Sequence, residues 1–71
     1  MQKTGQLLKE AREKKGLTIP EISHVTKINP KTLEALERGD ISGLPQKAFV
    51  RGFVQTYAKY LGLDVNETLK L

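Results

Sequence analysis

Cysteine and tryptophan are absent from this 71-residue chain, and without cysteine there are neither disulfide staples nor thiolate zinc sites. The single histidine, His24, leaves no second imidazole to share a metal ion. Apolar residues run no longer than three, at Ala48–Val50, against the roughly 20 that a bilayer-crossing helix needs. The opening residues Met1 to Gly5 offer no apolar secretion core and no myristoylation pattern, so a cytoplasmic location is expected. No phosphate-binding glycine loop is present, and no nucleophile, base and orienting acid can be grouped. The chain is therefore expected to be no enzyme and to take no cofactor or metal.

What remains is 38% apolar and 28% charged, with a net charge of +4. That composition describes one small globular domain with a preference for acidic partners of unspecified kind. Helical periodicity and punctuation account for the whole chain. Leu7, Leu8 and Ala11 form an apolar stripe on a first helix over about residues 4–15, opened by Thr4 and closed by Gly16. Thr18, Pro20 and Glu21 fit a capping box for a second helix, 19–25, that carries Ile22 and Val25 inward. Asn29 and Pro30 start a third, 30–38, which buries Leu33 and Leu36 and stops at Gly39. After a loop over Ile41–Pro45, the longest helix is expected at 46–61, with Gly62 as its stop. Asp64 and Glu67 then cap a last helix at 65–71. The expected fold is all-α, with five helices around one core, and Gly52 is expected to permit close approach of a neighbour.

Helix four carries an unusually wide apolar arc. At about 100° per residue, with Phe49 at zero, Val50, Val54, Tyr57 and Leu61 fall between about 80° and 140°, and Phe53 and Tyr60 lie at about 40° and 20°. Lys47, Arg51, Gln55 and Lys59 occupy the other side. An arc near 180° exceeds what one core face requires, so something should cover its aromatic edge. Three occupants are open: the last helix folded back with Val65 and Leu69, a partner protein, or a second copy of the chain.

The run Gly16–Asp40, GLTIPEISHVTKINPKTLEALERGD, resembles the helix-turn-helix of the xenobiotic-response-element and lambda-repressor-like family. The resemblance implies a buried Ile28 in the turn, a recognition helix holding Leu33 and Leu36, and a fold-fixing ion pair between Arg12 and Glu37. The segment LPQKAFVRGFVQTYAKYLGLD, Leu44–Asp64, together with GQLLKEAREKKGLT at the front, is similar to the RodZ family of bacterial cell-shape proteins. That similarity implies the N-terminal cytoplasmic domain of a longer inner-membrane protein that docks on the bacterial actin homologue MreB. A basic linker and a transmembrane helix would lie beyond residue 71. The implied partner surface comprises Phe49, Arg51, Phe53, Tyr57, Lys59 and Tyr60.

The alternative is a sequence-specific DNA-binding regulator with the same fold, using Asn29, Lys31, Thr32, Glu34 and Arg38. The third helix suits that role poorly. Lys31 and Arg38 are cancelled by Glu34 and Glu37, and a carboxylate at Glu34 would face a polyanion. The basic excess lies elsewhere, six bases against three acids over residues 1–29 and three bases with no acid over 41–63.

Overall fold

The computed structural model describes residues 2–40 and 49–70, and over these the chain is all-α. Five helices follow one another: α1 (Gln2–Lys14), α2 (Ile19–Thr26), α3 (Pro30–Arg38), α4 (Val50–Tyr60) and α5 (Val65–Lys70). The expected loop over Ile41–Pro45 and the expected start of helix four at 46–48 lie outside the described residues. Among those described, α1 with 13 residues is the longest helix, ahead of α4 with 11.

Each boundary has a local cause. Gly16, Gly39 and Gly62 all take positive φ, which glycine adopts without steric cost, and they end α1, α3 and α4. The Glu21 amide donates to Thr18 Oγ1 at 3.3 Å, and the Thr18 hydroxyl donates on to Glu21 Oε1 at 3.1 Å. The carboxylate thus returns to the hydroxyl, where a full capping box would send it to the Thr18 amide. Asn29 Oδ1 accepts from the Lys31 amide at 2.8 Å, and Asp64 Oδ1 accepts from the Glu67 amide at 3.0 Å. Between α2 and α3 the three-residue turn opens on Lys27, at φ 63°. Hydroxyls tie it down: Ser23 Oγ donates to the Ile28 carbonyl at 2.6 Å, and Thr26 Oγ1 accepts from the Ile28 amide at 3.3 Å.

The core gathers Leu8, Ile22, Ile28, Leu33, Leu36, Val54, Tyr57 and Leu61, all buried. α1 packs on α3 and α5, α2 on α3 and α4, and α4 on α5. Three residues sit differently from their sequence expectation. α1 begins at Gln2, so Thr4 lies inside it. Its buried hydroxyl donates to the Thr68 carbonyl at 3.0 Å, a use that only the arrival of α5 creates. Gly52 has open space where a side chain would grow, whereas a Cβ on Gly5 would strike the Leu36 carbonyl and come within 2.6 Å of the Glu37 carbonyl oxygen. The close-approach glycine is therefore Gly5, where α1 crosses the end of α3. Val25 is 52% exposed, because the inner face of α2 centres on Ile22 and the hydroxyl-bonded Ser23 and Thr26. At about 100° per residue Val25 falls outside that arc.

Candidate functional site

α4 divides lengthwise into a sealed side and an open edge. Val50, Val54, Tyr57, Ala58 and Leu61 are buried. α5 closes over part of this side: Thr68 is buried, and Leu69 packs against the core. The Thr68 hydroxyl donates to the Asp64 carbonyl at 2.7 Å, which satisfies it inside the helix. The aromatic edge keeps a different exposure. Phe53 is half-buried, while Phe49 is 57% and Tyr60 39% exposed. The helical register puts these three rings within about 40° of one another, so they form one line along the helix. Folding back of α5 thus accounts for the core stripe and leaves the two ends of the aromatic line, Phe49 and Tyr60, exposed, with Phe53 packed partly against the core.

The other residues expected on this surface separate. Lys59 is exposed and lies about 80° from Phe49 around the helix, on the side away from the core. Arg51 is exposed too, but it lines a different concavity of about 320 Å³ with Thr4, Val50, Val54 and Leu69. It borders α1 and α5 and does not edge the aromatic line. Tyr57 is fully buried, at 0% exposure. Its place in the apolar arc already marked it as core, and it offers no surface to a partner. Sequence reasoning missed the contribution of α2. Tyr60 shares a concavity of about 410 Å³ with Pro20, Glu21, His24 and Val25, so the exposed Val25 continues the apolar surface from α4 onto its neighbour.

Tyr57 belongs instead to a polar junction inside the domain. Arg12 donates to Glu37 through Nε (2.8 Å) and Nη2 (3.1 Å), and its Nη1 donates to the Leu17 carbonyl at 2.9 Å. The Tyr57 hydroxyl donates to the same Glu37 oxygen that accepts Arg12 Nε. The Glu37 side chain is 7% exposed and that of Arg12 13%, so the pair needs this geometry to offset its desolvation. The bond to Glu37 raises the Arg12 pKa further above its ordinary value. Burial, then the bond to Glu37, raises that of Tyr57 above the usual phenol range. Among the described residues no buried side-chain polar atom lacks a partner.

The outer face of α3 is poor in groups free to read a base edge. Asn29 is used as a cap, Thr32 is half-buried, and Glu37 is withdrawn into the junction. Lys31, Glu34 and Arg38 are exposed. Glu34 and Arg38 share a concavity of about 340 Å³ with Lys9, Arg12, Ile19 and Glu37, a surface of mixed sign. Among the described residues no group of three or more metal-ligating side chains occurs, and no helix is long and apolar enough to cross a membrane.

Comparison with known proteins places these features. A family model described as a helix-turn-helix domain matches residues 7–68. The chain is 37% identical over 60 residues to the cytoskeleton protein RodZ of Streptococcus pneumoniae, covering 84% of this chain and 22% of that protein. It is 35% identical over 51 residues to the uncharacterized membrane protein YmfM of Bacillus subtilis, covering 72% of this chain and 18% of that one. The chain thus spans about a fifth of the length of these curated relatives. Among solved structures, YmfM of Staphylococcus aureus, described as a candidate DNA-binding membrane protein, superposes with a TM-score of 0.92. The two are 30% identical, over 94% of this chain and 82% of that one. A chain of the complex in which bacterial actin MreB assembles with the cell shape protein RodZ superposes with a TM-score of 0.90. It is likewise 30% identical, over 97% of this chain and 84% of that one.

Proposed function

The chain belongs to the helix-turn-helix domain family and is RodZ-like, and from that premise we propose that it is a protein-binding module docking on MreB filaments through α4. The observation that carries this reading is the exposure of the aromatic line at its two ends, with Phe49 57% and Tyr60 39% exposed. Phe49, Phe53 and Tyr60 make the apolar contact, and Lys59 supplies charge at its margin. Exposed aromatic residues on a rigid helix are the usual anchors of a protein interface, because they bury much area while losing little rotamer freedom. The likeness to the RodZ-like fold found in complex with MreB supports the choice of partner. The place of action is the cytoplasmic side of a membrane, with this chain as the head of an anchored protein. Its relatives support that placement, since the chain matches about a fifth of RodZ and of a membrane protein, YmfM.

Co-sedimentation with MreB polymer tests the surface. Phe49→Ala and Tyr60→Ala should each weaken binding by about tenfold or more, as interface anchors do, while circular dichroism shows unchanged helicity. Unaltered sedimentation of both variants would remove the aromatic line from the interface. Sedimentation velocity of the free domain reads the competing occupant, a second copy. Titration with duplex DNA should give weak, sequence-blind binding that fades with salt, as a net charge of +4 alone would produce.

A further inference from the structure

The Arg12–Glu37–Tyr57 junction uses a buried phenol that the docking surface does not, and its position gives it work to do on that surface. Tyr57 lies four residues after Phe53 and three before Tyr60, offset from them around the helix by about 40° and 60°. Its hydroxyl donates to Glu37, on the last turn of α3, and Glu37 is gripped through two nitrogens by Arg12 of α1. Arg12 is itself anchored on the Leu17 carbonyl. A directional bond therefore links the inner side of α4 to two other helices at one carboxylate. At the first described residue before α4, Phe49 makes no side-chain capping bond. The apolar contacts of Val54, Ala58 and Leu61 are non-directional and tolerate a small rotation, whereas a phenol bound to a paired carboxylate does not.

We propose that Tyr57 is a positioning residue, whose hydroxyl, held by Glu37, sets the rotation of α4 and thereby the direction in which Phe53 and Tyr60 project. This rests on the aromatic line being the docking surface. Recognition-helix scaffold and partner face are then one mechanical unit, and a change at the end of α3 is felt on the outside of α4.

Tyr57→Phe tests this, since it keeps the ring and removes only the bond. The folded variant should bind MreB polymer about three- to tenfold more weakly, the worth of one directional bond. The ring signals of Phe53 and Tyr60 in its proton spectrum should shift or broaden. Val54→Ala loosens the same helix and spares the junction; it should keep wild-type affinity wherever it is folded. Val50→Ala, at a less buried position of the same helix, replaces it if it fails to fold. Wild-type affinity in Tyr57→Phe, or an equal loss in the core variant, overturns the positioning role. Should Phe49→Ala and Tyr60→Ala bind like wild type, the docking reading fails separately. The rings then decide: unmoved signals overturn the role of Tyr57, and moved signals retain it.

Discussion

α3 and α4 lie in the same small domain and use their side chains in opposite ways. α3 is capped at both ends, by the Asn29 side chain and by Gly39 at φ 71°. Its last acidic residue is turned inward, and α1 crosses its final carbonyls at a distance only glycine allows. α4 has no side-chain cap and carries aromatic rings into solvent. The helix that would enter a DNA groove in a repressor here turns Glu37 into the domain and keeps Lys31, Glu34 and Arg38 on its exposed side, while Phe49 and Tyr60 of the α4 region stand exposed. Function in such a scaffold is therefore read from which helix has surplus apolar surface, and the topological label of a recognition helix does not supply it.

The sharpest way to break this contrast is at the crossing of α1 and α3. Gly5→Ala puts a methyl group against backbone carbonyls that cannot move aside. It should cost about 3 kcal/mol or more, comparable with severe overpacking, and leave much of the domain unfolded by thermal or urea denaturation. A smaller effect is expected where the two regions meet. The Tyr57 pKa is raised in the folded state, so the folded form keeps its proton at pH values where the unfolded chain loses it. The contribution of this phenol to stability is then fully present below about pH 10 and falls as pH rises beyond it, by no more than about 1.4 kcal/mol per pH unit for one proton. Denaturation of Tyr57→Phe across the same range should show a shallower alkaline loss than wild type. The smallest effect is on the open side of α4. Gly52→Ala, with nothing within 4 Å of the new methyl group, should stabilise by about 0.5–1 kcal/mol through helix propensity. A loss there would mean that the outer side of α4 is covered.

Much of this architecture is written locally and could be read without coordinates. Thr18 with Glu21, Asn29 before Pro30, Asp64 before Glu67 and the three positive-φ glycines act on neighbours within a few residues, where sequence distance equals spatial distance. The angular order of Phe49, Phe53 and Tyr60 is legible for the same reason, because one helix carries them. Gly5 and Tyr57 depend on a second element, and Val25 on polar bonds within its own helix and turn. Gly5 acquires meaning from carbonyls 31 and 32 residues away at Leu36 and Glu37, and Tyr57 from a carboxylate 20 residues away. The outward turn of Val25 follows from hydroxyl bonds at Ser23 and Thr26, which a hydrophobicity pattern does not see. The family resemblance puts Arg51 at the edge of the aromatic surface; it lines instead the concavity bordered by Thr4 of α1 and Leu69 of α5, two elements whose positions the helical wheel of α4 does not contain.

The Thr4 hydroxyl meets the Thr68 carbonyl across 64 residues of chain, so the earliest helix is stitched to the latest. During synthesis that bond forms only after position 68 has left the ribosomal tunnel, whereas the fully buried apolar residues lie between Leu8 and Leu61 and can meet earlier. A chain cut before position 68 therefore loses the clasp on α1 and keeps those core residues, and a circular permutant joined across that seam and opened elsewhere should still assemble.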